Sequence, residues 1–139
     1  MQNLEFNDGL KRLSINGDEN RIITINPTDI AVISRYNEVL PKLNELTEKY
    51  RNTENPTPEK TAEIISELDT KAREFIDYII GSPVSDAVFG TANCLSCAGG
   101  QTIFENFLTA YMEYMTPAIK SEYEKSKNRV EKYTKQTKK

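Results

Sequence analysis

Two cysteines at a CxxC spacing, Cys94 and Cys97, form the one motif of chemical type in the sequence. Such a pair does redox chemistry when a helix begins at the first cysteine, because the helix dipole lowers the pKa of that thiol. Glycines bound the pair on both sides and disfavour a helix there. A zinc site needs four ligands, and with no histidine in the chain a second copy would have to supply two of them. We predict plain loop residues, while a redox pair and a shared metal site stay open.

Pairs of acidic residues, Glu63 with Glu67 and Asp69 with Glu74, are a second candidate for chemistry. Acid–base catalysis by paired carboxylates requires an apolar pocket that desolvates one of them. The sequence shows no such enclosure, so these residues are predicted to lie on a solvated helix face. The absence of histidine also excludes histidine triads and proton shuttles. We therefore predict no enzymatic activity, no catalytic or metal-binding residue and no cofactor.

Methionine and tyrosine side chains mark a third candidate, a surface that binds a protein partner. Flexible thioethers and aromatic rings can adapt to a partner, although the same helical spacing is typical of a core. Lysine-rich sequence with interleaved tyrosines also resembles a binder of single-stranded nucleic acid, but the glutamates of that segment argue against it. The residues predicted to bind a partner are Tyr111, Met112, Tyr114, Met115 and Tyr123.

The chain has 139 residues, enough for one domain with a sizeable core, and its charge is unevenly distributed. Residues 120–139 hold eight basic and three acidic side chains, a balance of +5, and residues 1–119 hold ten basic and eighteen acidic, a balance of −8. We expect a single domain over 1–119 and a basic, partly helical or flexible tail over 120–139. The sequence contains no apolar run of about 18–20 residues, the length that would predict a membrane span. The first residues lack a signal-peptide pattern, which favours an intracellular location.

The N-terminal region has the alternating pattern of a small antiparallel sheet. Turn residues at Asn7-Asp8-Gly9 and Asn16-Gly17-Asp18 separate three short apolar alternations. We predict a three-stranded meander with strands near 3–7, 10–16 and 21–26. The side chains expected to face the helices are Leu4, Phe6, Leu13, Ile15, Ile23 and Ile25.

Downstream of Asn26 the apolar spacing changes to the 3–4 alternation of helices. One stripe starts after Asn26-Pro27 and a second starts at Thr57-Pro58, so we predict an antiparallel helical hairpin, with a helix-mediated homo-oligomer as the alternative. A brief helix over 84–89, a glycine-rich loop over 90–101 and a third long helix from about 102 follow. Pro41 and Pro117 are each expected to kink or break a helix. The fold class is therefore α+β. The two stripes are Val32, Tyr36, Val39, Leu43, Leu46 and Tyr50, and Ile65, Leu68, Ala72, Phe75 and Ile79.

The order of these parts resembles small proteins encoded in the tail-morphogenesis clusters of long-tailed phages and prophages of Gram-positive bacteria. The similar segments are LEFNDGLKRLSI, INPTDIAVISRYNEVLPKL, ELDTKAREFIDYIIGSPVSDAVFG and GGQTIFENFLTAYMEYM, which together span most of 3–115. The resemblance implies a tail assembly chaperone in the cytoplasm of the bacterial host. Such a chaperone coats the long hydrophobic tape-measure protein until tail-tube subunits replace it. The pattern has no catalytic residue to carry over.

The physical reading of the sequence agrees with a binding role, since such a chaperone needs apolar helix faces rather than a pocket. The alternative is a structural tail or head-completion subunit that stays in the virion. A redox enzyme built on Cys94 and Cys97 is the third possibility. The chaperone and the structural subunit differ in whether the protein is present in purified particles.

Overall fold

The computed structural model describes residues 1–52 and 57–137, and its helices and strands form an α+β fold. The elements in chain order are β1 Lys11–Ile15, β2 Asp18–Ile25, α1 Ala31–Arg51, α2 Pro58–Ile80, α3 Ser85–Phe89, β3 Cys97–Ala98, β4 Gln101–Thr102 and α4 Ile103–Thr137. The strands make two separate two-stranded antiparallel sheets. The polar segment Asn52-Thr53-Glu54-Asn55-Pro56 predicts a connector between the two helices of the hairpin, and apart from Asn52 it lies outside the described residues.

Strands β1 and β2 form a hairpin because Asn16 and Gly17 accept positive φ angles of 51° and 74° at its turn. Leu13 pairs with Ile23 across the two strands. Ile23 and Ile25 are buried, as predicted, and they bring one face of the hairpin onto the helical core. The hairpin therefore supplies one wall of the body.

The predicted strand over 3–7 is wrong for the described structure, which has only two strands in this sheet. Leu4 and Phe6 are 83% and 73% exposed instead of facing the helices. The turn that follows explains the difference, because the side chains of Asn7 and Asp8 accept hydrogen bonds from the backbone N–H groups two residues ahead. These local bonds satisfy the donors at the point where strand pairing would have to begin.

Helices α1 and α2 run antiparallel, as the matched stripes predicted. Arg35 Nε donates to the carbonyl of Ile79 at 2.9 Å, and at the other end Lys49 Nζ lies 3.4 Å from Glu67 Oε1. The start of α1 differs from the prediction. The helix begins at Ala31 rather than directly after Asn26-Pro27, and the Ala31 N–H donates to the Asp29 carboxylate.

The bounds of α2 follow from its end residues. The Thr57 hydroxyl accepts the Lys60 N–H, Pro58 occupies the first helical position, and Gly81 ends the helix at a φ of 82°. The predicted glycine-rich loop over 90–101 contains one small element that was not expected, the hairpin of β3 and β4. Its turn is formed by Gly99 and Gly100, both with positive φ.

Helix α4 is a single helix of 35 residues, about 52 Å long at 1.5 Å per residue. Thr102 caps it, because its hydroxyl accepts the Glu105 N–H. Neither Pro117 in α4 nor Pro41 in α1 ends its helix, so the predicted breaks are absent there.

The core lies where the β1–β2 hairpin, the first half of α1, α2, α3 and the first part of α4 meet. Its most completely buried residues come from several elements, and none of the described residues in the last part of α4 is among them. The largest fully buried residues are Ile25, Ile76, Ile79, Met115, Val32, Val39, Val84, Pro27 and Cys94.

Candidate partner-binding groove

An open groove of about 830 Å³ runs between α1, α2, the 93–96 loop and the first turns of α4; we call it the groove. Its walls are mainly aliphatic and aromatic, and its polar groups are amides, hydroxyls and one carboxylate. The groove is lined by Tyr36, Leu40, Leu43, Asn44, Leu46, Thr47, Ile65, Leu68, Ala72, Asn93, Leu95, Ser96, Thr102, Phe104, Glu105 and Leu108.

The helical walls of the groove include residues of both stripes, which the predicted helical hairpin should have buried. Val32 and Val39 are 0% and 2% exposed, so the first half of the α1 stripe does enter the core. Further along, Leu40 on α1 is 39% exposed, and Ile65 in the stripe of α2 is 41% exposed. The two stripes thus do not cover each other along their full length, and apolar surface stays accessible between them.

A partly buried ion pair holds the loop that lines the groove between α2 and α4. Asp69 and Arg73, one turn apart on α2, approach to 3.1 Å with side chains 23% and 15% exposed. The Arg73 guanidinium also donates to the carbonyls of Gly90 and Ala92 at 2.8 and 2.7 Å. It lies 5.7 Å from the ring centroid of Phe89, within cation–π range.

The other carboxylate oxygen of Asp69 accepts the backbone N–H of Cys94 at 2.8 Å. From there the contacts continue to α4, because the Ile103 N–H donates to the Ser96 carbonyl and the Phe104 N–H to the Cys94 carbonyl. These bonds use donors that every helix start leaves free. The Asp69–Arg73 pair therefore positions the loop, and the loop positions the start of α4.

Asp69 is thus not part of a solvated face, contrary to the prediction made for it. Burial alone would raise the pKa of its carboxyl, but the hydrogen bonds from Cys94 and the charge of Arg73 outweigh burial and lower that pKa below 3.8. The other three acids named with it behave as predicted. Glu63, Glu67 and Glu74 form exposed ion pairs with lysines at 3.4 to 3.8 Å.

The two cysteines lie in different environments and are both free thiols. Cys94 is fully buried in the core, and burial, followed by its contact with Asp69, raises the pKa of its thiol to about 12. A thiol of that pKa is protonated at neutral pH and is a poor nucleophile. Cys97 is exposed in β3. Among the described residues no group of three or more cysteine, histidine or carboxylate side chains is placed to hold a metal ion.

The five residues predicted to bind a partner are divided between core and surface. Tyr111 and Met115 are 4% and 1% exposed and belong to the core, and Met112 packs against it. Tyr114 and Tyr123 are 42% and 77% exposed. Their role in binding stays a prediction, and for the first three it would require the body to open.

The orientation of Tyr111 adds one detail to this division. Its hydroxyl is buried and finds no hydrogen-bond partner among the described residues. Burial raises the pKa of this phenol to about 12. The residue does not line the groove, so the groove owes its chemistry to other side chains.

Sequence reasoning missed the groove itself. The signal was present in Leu40, which widens the α1 stripe beyond what one helix–helix contact covers. A stripe wider than its partner leaves a strip of apolar surface, but periodicity alone does not show on which side of the contact that strip lies.

Comparison of the chain with protein-family models, with curated proteins and with solved structures gave no match. Within residues 1–52 and 57–137, no helix has the length and apolar character needed to cross a membrane.

Proposed function

We propose that the protein is a non-enzymatic tail assembly chaperone that holds a helical segment of the tape-measure protein in the groove, in the cytoplasm of a bacterial host. The observation that carries the proposal is the open apolar groove of about 830 Å³ between α1, α2 and α4. Tail assembly and the tape-measure partner come from the resemblance alone.

The length and lining of the groove suit a helix. Its α1 wall extends from Tyr36 to Thr47, three turns or about 18 Å. A bound amphipathic helix uses apolar anchors at positions i, i+3 or i+4, and i+7, which fit within that length. Leu40 on the α1 wall and Ile65 on the α2 wall are both exposed, so a bound helix could contact them with such anchors.

The charges of the walls favour a partner with basic residues beside its apolar face. The three segments that contain the helical lining residues, 36–47, 65–72 and 102–108, carry five acidic and two basic side chains, a net charge of −3. Complementary charge raises the association rate and fixes the orientation of a partner more than it adds affinity. A tape-measure segment with lysine or arginine flanking a leucine-rich face fits this surface best.

Co-expression with the tape-measure protein of the same gene cluster tests the proposal. We expect the wild-type chain to co-purify with it and Leu40→Asp to lose most of that binding, because a carboxylate would face the apolar anchor. Ile33→Asp is the matched control: Ile33 is 46% exposed on the same helix but does not line the groove. Equal binding by the two variants would exclude the groove as the site, and no co-purification of the wild type would reject the chaperone.

A structural subunit retained in the virion is the second candidate. It is favoured by the last part of α4, residues 120–137, whose described side chains are all exposed, as in subunits that assemble through projecting elements. Mass spectrometry of purified particles separates the two candidates. Stoichiometric protein in mature particles favours the structural subunit, and its absence there with presence in lysates favours the chaperone.

A further inference from the structure

We infer that the groove of one copy binds the basic C-terminal part of α4 from a second copy, so that copies associate head to tail. We call residues 120–137 the arm. The inference concerns the same groove as the proposed function, but it involves this chain alone and is tested with purified protein.

The arm is a helix whose described side chains are all exposed. Its apolar side chains Tyr123 and Val130 are 77% and 61% exposed. They are seven residues apart and therefore lie on one face of the helix, in line with Ile119. A shallow apolar hollow between Ile119 and Tyr123 marks the base of this face. A helix with one apolar face and charged flanks is the ligand that a helix-binding groove accepts.

Charge selects the groove over another arm as the partner of this face. The arm carries six basic and three acidic side chains, a net charge of +3, and residues 138 and 139 add two more lysines. The wall segments of the groove carry a net charge of −3. Two arms packed side by side would repel each other, whereas an arm in the groove would be attracted.

Because α4 is one uninterrupted helix, the arm cannot fold back into the groove of its own chain, and the groove that it enters must belong to a second copy. Leu108 lies in the groove wall, and Tyr123 follows it fifteen residues later in the same uninterrupted helix, about 22 Å further along the axis. The arm therefore extends away from the groove of its own chain. Its length of about 27 Å is sufficient to span the three turns of the groove in a neighbour.

Such a contact joins two different surfaces, one from each copy. A contact of this type closes into a ring or continues as an open chain, depending on the rotation between neighbours. It also means that a tape-measure helix would have to displace the arm of a neighbouring copy. Association is then expected to weaken with salt, since the charges are at the surface.

Two full-length variants test the inference by sedimentation velocity. The arm variant, Tyr123→Ser with Val130→Ser, removes the apolar face. The groove variant, Leu40→Asp with Ile65→Asp, blocks the opposite surface. All four positions are at least 39% exposed, so both variants are expected to keep the helical circular dichroism of the wild type. If the groove variant fails this check, Ile65→Ser alone replaces it.

We expect the wild type to associate as its concentration rises to about 0.2 mM at low salt, and each variant alone to associate at least roughly tenfold more weakly. The decisive sample is an equimolar mixture of the variants. One supplies an intact groove and the other an intact arm, so the mixture should form a 1:1 dimer and nothing larger. As a second measure, Lys127→Glu with Arg129→Glu should weaken association of an otherwise intact chain.

Three results would overturn the inference. A wild type that stays monomeric at about 0.2 mM, where an association of micromolar Kd is complete, excludes it. A groove variant that still associates while the mixture gives no heterodimer shows arm–arm pairing instead. An arm variant that still associates shows groove–groove pairing. Tape-measure binding retained by the arm variant but lost by Leu40→Asp would leave the proposed function intact in each case.

Discussion

The two parts of α4 are both helical, but the first part packs in the core and the arm is exposed to solvent. In the first part, Phe104, Leu108, Tyr111 and Met115 follow one another at spacings of four, three and four residues and are 8% exposed or less. In the arm, every described side chain is exposed. One helix thus passes from the core into solvent without a break at Pro117.

The difference shows that helix continuity and burial depend on separate properties of the sequence. The arm has no glycine or proline, and Lys125 lies 3.5 Å from Glu122 one turn before it, so local propensity and side-chain pairs favour a helix there. Packing instead requires an apolar residue in every turn, and the arm does not provide one. A helix in solvent on these terms is only marginally stable by itself.

Replacing one apolar residue in each part of α4 should give the largest contrast. Met115→Ala removes a side chain that is 1% exposed and should lower the free energy of unfolding by about 2–5 kcal/mol, since a cavity remains. Tyr123→Ala, at a position 77% exposed, is the control and should leave it nearly unchanged. Urea unfolding followed by circular dichroism measures both. Equal losses would mean that the arm packs on its own body.

Breaking the Asp69–Arg73 pair should lower the free energy of unfolding by a smaller amount. It should disturb the first part of α4, which the 93–96 loop positions, but not the arm. Asp69→Ala leaves the Cys94 N–H and the Arg73 guanidinium without their carboxylate and should cost about 1–3 kcal/mol. Asp86→Ala is the control. Asp86 also lies near Arg73, at 3.3 Å, but its side chain is 99% exposed, so its loss should hardly change the melting temperature.

The pH dependence of this difference follows from the lowered pKa of Asp69. A carboxyl whose pKa is lowered on folding stabilises the fold above its unfolded value, near 3.8, and loses that contribution as pH falls through the folded value. The gap in stability between wild type and Asp69→Ala should therefore be constant near neutral pH and narrow as pH falls below about 4. A gap that widens with acid would show that the carboxylate is not stabilising the fold.

Parts of the fold that depend on local signals could be predicted from the sequence. Helix α2 has the expected start at Pro58, which a capping threonine and a proline mark, and a glycine at 81 marks its end in the same way. The β1–β2 hairpin follows in the same way from Asn16-Gly17. The strand over 3–7 failed because its alternation covers only two apolar residues, and alternation does not show whether a neighbouring strand offers a surface to bury them.

The candidate site could not be predicted, since it depends on where elements distant in sequence meet. Cys94 and Cys97 look equivalent in the sequence, yet the first lies in the core and the second in solvent. What separates them is the contact of Cys94 with Asp69, 25 residues earlier. Likewise, Asp69 could not be told apart from Glu67 or Glu74 until the position of the 90–97 loop was known.

The arm should give the smallest effect on stability and the clearest one on dynamics. Ending the chain after Tyr123 removes only residues whose described side chains are exposed, so the free energy of unfolding should stay within roughly 0.5 kcal/mol of the wild type. In dilute protein, amides of residues 124–137 should exchange much faster than those of 104–115, because a helix without tertiary packing opens readily. Raising the protein concentration at low salt should slow exchange in the arm if it enters the groove of a neighbour, and added salt should restore the fast rate. Slow exchange in dilute protein, together with a lower melting temperature of the shortened chain, would show instead that the arm folds back on its own body.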